Sequence, residues 1–180
     1  MEWPLVVHTS SVTQTKEVAA RLAPLCAPGD VVLLVGELGA GKTAFAQGFA
    51  AALGVEGPVT SPTFALVRQY NCHGVVGIET LLHADVYRTG SLAEVAELAL
   101  AELVEERAVA LVEWGDLAAP ALGDDALVVT LSPPEGDAGD SADQRAISIE
   151  GRGRWAARAG EVAGVLSLGA ASLGAARPAS

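Results

Sequence analysis

The sequence predicts a three-layer α/β sandwich around a mixed sheet, with a parallel core and antiparallel strands beside it. Three observations carry this reading. Val31-Val32-Leu33-Leu34-Val35 is an uninterrupted apolar run, the pattern of a parallel strand covered on both faces. It leads through a glycine-rich loop into Lys42 to Leu53, an Ala- and Phe-rich segment free of proline that suits a helix and stops at Gly54. Val109 to Trp114 is a second buried-type strand, reached after further alternation of helix and strand patterns.

The remaining elements follow in chain order. Residues 11 to 25 place Val18, Ala19, Leu22 and Leu25 on one helical face, with Thr13 or Thr15 positioned to begin the helix. Pro28-Gly29-Asp30 is turn punctuation before the first buried strand. Phe64 to Tyr70 reads as a strand, Asn71 to Gly77 as a turn, and Ile78 to Tyr87 as an antiparallel partner. Ser91-Leu92-Ala93-Glu94 has capping-box spacing and opens an Ala/Glu/Leu-rich helix running to Glu106. Asp125 to Leu131 and Arg145 to Glu150 are shorter strands flanking the polar segment Ser132 to Asp143, whose composition predicts a mobile loop. Trp155 to Leu168 suits a short helix, and Gly169 to Ser180 is low-complexity sequence expected to be disordered. The expected organisation is one domain over residues 1–151, followed by a C-terminal helix and Ala/Gly-rich tail over 152–180.

Composition narrows the function classes. A chain of 180 residues can bury a core without disulfides or structural metal. Hydrophobic residues make up 51% of it, but alanine supplies much of that share, and no uncharged run approaches the roughly 18 residues of a membrane span. Met1 to His8 lacks the basic and apolar regions of a secretory signal, so the expected address is the cytoplasm and no membrane is involved. A formal charge of −11 predicts repulsion from nucleic acid, so contact with a polyanion would come through a complex. Cys26 and Cys72 fit reduced thiols, and Cys72-His73 lacks the further ligands a zinc site requires.

Gly36-Glu37-Leu38-Gly39-Ala40-Gly41-Lys42-Thr43 matches G-x-x-x-x-G-K-[ST] between a strand and a helix, the context in which that pattern is a P-loop. Glycines 36, 39 and 41 let the backbone turn tightly and aim N–H groups at phosphate oxygens, at the positive end of the following helix dipole. Lys42 is placed for the β and γ phosphates of ATP, and the Thr43 hydroxyl for Mg²⁺. The predicted architecture is therefore P-loop NTPase-like.

Hydrolysis also needs acidic residues at the ends of neighbouring strands. Glu113 ends Ala110-Leu111-Val112-Glu113 and stands where a magnesium-orienting carboxylate is expected. The plainer reading is a charge where a strand leaves the core. In His83-Ala84-Asp85-Val86-Tyr87-Arg88, strand alternation puts His83, Asp85 and Tyr87 on one face. Asp85 is placed to orient water or accept its proton, and Arg88 to offset phosphate charge or form a structural ion pair. Thr60-Ser61-Pro62-Thr63 concentrates three hydroxyls, suited to sensing a γ-phosphate or simply to turning the chain.

Taken together, these residues resemble the TsaE (YjeE) family over about residues 10 to 150. The shared features are Thr15, the loop at 36–43, Ser-Pro-Thr-Phe at 61–64, His-x-Asp-x-Tyr-Arg at 83–88 and Val-Glu-Trp at 112–114. The resemblance implies a small ATPase that joins TsaB and TsaD in installing threonylcarbamoyl on adenosine 37 of tRNA. In that family role ATP is hydrolysed, but the carbamoyl group is transferred by the partners. By position, it implies Thr15 near the adenine or ribose, and Gly39, Ala40, Gly41, Lys42, Thr43 and Ala44 around the phosphates. It further implies Thr43 and Glu113 at magnesium, with Asp85, Lys42 and Glu113 as the catalytic set. Trp114 would sit close to the nucleotide, and Arg145 would approach it from the start of the last strand. The tail after Gly151 and the 132–143 loop depart from the family pattern.

Two other readings use the same motif. A small-molecule P-loop kinase would normally carry an arginine-rich lid, which is not evident in this sequence. A nucleotide-gated assembly module would bind partners, with hydrolysis negligible outside the complex. A GTPase would require an Asn-Lys-x-Asp segment, which does not occur.

Overall fold

Val31-Val32-Leu33-Leu34-Val35, the most apolar run of the N-terminal half, becomes an inner strand of a mixed sheet in the computed structural model. The structure describes residues 2–62, 67–86, 107–116, 125–133, 144–167 and 177–178. The strands are β1 (Leu5–Thr9), β2 (Val31–Val35), β3 (Val67–Asn71), β4 (Thr80–Asp85), β5 (Ala108–Glu113), β6 (Leu127–Ser132), β7 (Arg145–Gly151) and β8 (Arg177–Pro178). Their order is β3-β4-β5-β2-β6-β7-β1-β8. The inner pairs β4–β5, β5–β2 and β2–β6 are parallel, and the flanking pairs are antiparallel. The expected mixed sheet with a parallel core is the fold observed.

Three helices, α1 (Val12–Leu22), α2 (Lys42–Ala52) and α3 (Ala159–Ser167), supply the core on one face of this sheet. Val18, Leu22, Phe45, Phe49, Val162 and Leu166 meet Val32, Leu34, Leu111 and Val129 there. On the other face Val31, Leu33, Leu82, Ala110 and Val112 form a second buried cluster, so the inner strands are apolar on both sides. Helices α1 and α2 approach so closely that a Cβ built on Gly48 would lie 2.3 Å from the Lys16 carbonyl oxygen.

Several boundaries differ from the sequence expectation. Helix α1 begins at Ser11, whose Oγ accepts from the Gln14 N–H at 3.2 Å, rather than at Thr13 or Thr15. Thr15 lies inside the helix, buried, because its hydroxyl pairs with that of Thr9 at 3.1 Å. Ser11→Ala removes this cap and is expected to cost about 1 kcal/mol. That loss should appear as a fall of about 2–4 °C in a thermal melt.

Strand β1 was not anticipated. Its partners are Ala146 to Ile149 and Arg145, far along the chain, so no nearby turn announces it. The expected hairpin is present as β3 and β4, antiparallel with Val67 opposite Ala84. Trp155 belongs to a 3₁₀ segment, Gly153–Arg158, that precedes α3. Arg177 and Pro178, within the segment expected to be disordered, pair with Val6 and Leu5. The helix expected from Ser91 to Glu106, positions 134–143 of the expected loop, and the rest of the tail lie outside the described residues.

Both cysteines are free and buried. Burial pushes the Cys72 thiol up to about 11 and Cys26 higher still, which makes both poor thiolates. Among the described residues, no helix is long and apolar enough to cross a membrane.

Candidate functional site

The P-loop leaves β2 at Val35 and enters α2 at Lys42, at the carboxyl edge of the parallel strands. Ligands of open α/β sheets collect at that edge. Three glycines make the turn possible. Gly36, Gly39 and Gly41 have φ of +146°, +81° and +106°, a region that L side chains rarely adopt. Gly36 also admits no side chain, since a Cβ there would lie 2.4 Å from the Leu131 carbonyl oxygen on β6.

Lys42, only 5% exposed, donates from Nζ to the carbonyl oxygens of Gly36 at 2.6 Å and Glu37 at 2.9 Å. Burial lowers its pKa, and the carboxylates of Glu113, Asp85 and Asp116 act in the opposite direction. The ring of Trp114 covers the ammonium at 3.9 Å from Nζ to the centroid, a cation–π contact. That placement depends on a sharp exit from β5. Trp114 is left-handed at φ +61°, and a Cβ on Gly115 would fall 2.5 Å from Leu33 Cβ. The backbone thus turns against β2 and swings the indole over the loop.

The two expected carboxylates come together by register. Asp85 and Glu113 are paired residues at the ends of the parallel strands β4 and β5, which places their Cα atoms about 5 Å apart. Both lie on the α2 side of the sheet, alternating with residues of the opposite cluster such as Ala84 and Val112. Ser61 Oγ donates to Asp85 Oδ2 at 3.1 Å, so one hydroxyl of the Thr60–Thr63 segment reaches the site. Glu113 is 3% exposed, and its Oε1 meets His83 Nε2 at 2.9 Å. Tyr87, Arg88 and Thr63 lie outside the described residues.

The other expected residues take varied places. Thr43 and Ala44 are half-buried in the first turn of α2, Gly39 is exposed, and Ala40 is buried. Arg145 grips the loop backbone: its Nε donates to the Ala40 carbonyl at 2.7 Å and its Nη2 to that of Gly39 at 3.1 Å. These bonds tie two loop carbonyls to the start of β7. Thr15 is buried, and its methyl lies 4.0 Å from a Cβ built on Gly41, so it packs beneath the loop. The sequence reading missed Asp116 and gave His83 and Arg145 no structural task. Asp116 follows Glu113 by three positions, which was the available signal.

The donor set fits a nucleotide–magnesium complex. Among the described residues no group of three His, Cys, Asp or Glu side chains could hold a metal alone. Magnesium needs no such cage, because it is commonly held by one or two carboxylates together with substrate phosphates and water. Thr43 and Glu113 carry hard oxygens of the kind such a cation takes, and the glycine loop exposes backbone N–H groups at the start of α2. A separate depression of about 280 Å³, lined by Val55, Glu56, Gln69, Tyr70, Asn71 and His73, contains none of these residues.

Comparisons with known proteins give the chain a family and a fold. The family model described as threonylcarbamoyl adenosine biosynthesis protein TsaE matches residues 9–142. The Streptomyces coelicolor tRNA threonylcarbamoyladenosine biosynthesis protein TsaE is 40% identical over 143 residues, covering 78% of this chain and 93% of that protein. The Bacillus subtilis protein of the same name is 40% identical over 124 residues, 69% of this chain and 75% of its own length. The crystal structure of Bacillus subtilis YdiB superposes with a TM-score of 0.69 at 34% identity, covering 94% of this chain and 97% of that one.

Proposed function

This chain belongs to the TsaE family, and from that membership we propose that it is the ATP-hydrolysing component of tRNA threonylcarbamoyladenosine synthesis. It acts with TsaB and TsaD in the cytoplasm and reaches tRNA through that complex. The observation that carries the ATPase reading is the register of β4 and β5, which sets Asp85 beside Glu113 at the mouth of the P-loop.

The residues divide the work. Backbone N–H groups of Gly39 to Ala44 hold the phosphates at the N-terminus of α2. Lys42 exchanges its two loop carbonyls for β- and γ-phosphate oxygens, while Trp114 shields that ion pair from water. Arg145 keeps the loop carbonyls turned away from the nucleotide, and Thr15 packs under the turn. Thr43 and Glu113 would hold magnesium, which when bound would supply positive charge to offset that developing during transfer to water. Asp85, steadied by Ser61, orients the attacking water and accepts its proton as the bond to the γ-phosphorus forms and the bond to ADP breaks. The net charge of −11 supports leaving tRNA contact to the partners.

The test is reconstitution of tRNA modification with TsaB, TsaD and the enzyme that forms the threonylcarbamoyl adenylate, recording ATP hydrolysis in parallel. Asp85→Ala is expected to keep ATP binding while losing at least about 100-fold in hydrolysis and failing to support multiple rounds of modification. Modification that proceeds equally well without the protein would refute the pathway role. Undiminished hydrolysis by Asp85→Ala would refute the assignment of the base.

A further inference from the structure

We infer that His83 is a positioning residue, whose Nε2–H holds the Glu113 carboxylate in the orientation that accepts magnesium. The inference rests on the ATP–magnesium reading of the site and adds a residue that the reading does not use.

His83 is fully buried, and its Nε2 lies 2.9 Å from Glu113 Oε1. Its other ring nitrogen, Nδ1, is buried and has no hydrogen-bond partner among the described residues. These two facts determine where the hydrogen sits. On Nδ1 it would be a buried donor without an acceptor, and the Nε2 lone pair would face a carboxylate oxygen. On Nε2 it forms the bond observed. The ring therefore acts as a fixed donor, of the kind that orients a metal-binding carboxylate from behind.

Such a hold is needed here. Glu113 is almost wholly buried near the Lys42 ammonium, which it stabilises electrostatically. A carboxylate free to rotate would be drawn onto Lys42, occupying both the phosphate-binding cation and the magnesium ligand. Instead Lys42 donates to loop carbonyls, and Glu113 Oε1 is held by His83, leaving Oε2 for the cation. The hold is rigid because both residues sit on inner parallel strands, with His83 opposite Leu111, two positions before Glu113.

The experiment measures ATP binding by calorimetry, in EDTA and across a magnesium titration, for wild type, His83→Leu and His83→Gln. Thermal melts in EDTA identify the folded variants. Leucine fills the space without a donor, whereas the glutamine amide returns an N–H near the Nε2 position. His83→Leu is expected to reduce the factor by which magnesium tightens ATP binding by about 10–100-fold, with His83→Gln within about threefold of wild type. Nitrogen-15 NMR of the metal-free wild type, which needs no variant to fold, should find the imidazole hydrogen on Nε2. A folded His83→Leu with the wild-type magnesium effect, equal losses in both variants, or a hydrogen on Nδ1 would each overturn the inference. A wild type that binds no ATP, or binds it indifferently to magnesium, would instead overturn the reading of the site and carry the inference down with it.

Discussion

Gly48→Ala is expected to lower the melting temperature by about 4–8 °C, corresponding to a loss of about 2 kcal/mol. The new Cβ would lie 2.3 Å from the Lys16 carbonyl oxygen, 2.6 Å from its Cα and 2.8 Å from its carbonyl carbon. All three are backbone atoms of α1, so no flexible side chain can swing aside. The helices must separate, and doing so loosens Val18, Leu22, Phe45 and Phe49 in the core they share. Overpacking of this kind costs about 1–3 kcal/mol, and a clash with backbone belongs at or beyond the upper end. Alanine is the better helix former by about 1 kcal/mol, which offsets part of that cost. The displacement also reaches the P-loop, because α2 begins at Lys42, so ATP affinity should fall with stability. An unchanged or raised melting temperature would show that the close approach is not required.

Lys42→Ala should weaken ATP binding by at least about 100-fold, measured by calorimetry with magnesium present. The substitution leaves the carbonyls of Gly36 and Glu37 without their donor. It also leaves Glu113, Asp85 and Asp116 without the buried cation beside them. Truncating one partner of a buried charged contact in a complex costs about 2–5 kcal/mol, and about 1.4 kcal/mol corresponds to a factor of ten in affinity. The incoming phosphates would meet the buried Glu113 and half-buried Asp85 carboxylates with no ammonium between. Wild-type affinity in a folded Lys42→Ala would show that phosphate does not bind in this loop.

The glycine loop was readable from sequence to the extent that it is local. Gly36 to Thr43 is continuous, and its glycines announce a tight backbone turn between a strand and a helix. Strand β2 and helix α2 were equally plain, since each carries its pattern within a dozen residues. The pairing of Asp85 with Glu113 was less accessible. Both were candidates, but their neighbourhood depends on which strands adjoin, and strand order leaves no mark on either segment. The hydrogen bonds of His83 to Glu113 and of Arg145 to the loop were invisible for the same reason. Strand β1 escaped because a strand paired only with the far end of the chain has no turn beside it. The N-terminus of α1 was misplaced because Ser, Thr and Gln crowd positions 9–15. The hydroxyl that accepts the Gln14 N–H is that of Ser11, while the hydroxyl of Thr15 turns inward to Thr9.

A ribosome making this chain completes Gly36–Thr43 long before the strands that confine it. Strand β2 is flanked by β5 and β6, while β1 waits for β7. The carbonyl that crowds Gly36 belongs to Leu131, and the guanidinium that grips Ala40 to Arg145. A nascent chain reaching only to the end of α2 displays the whole motif with no walls around it. The shape of the loop, and on the proposed reading its capture of ATP, is thereby tied to strands that the ribosome delivers last.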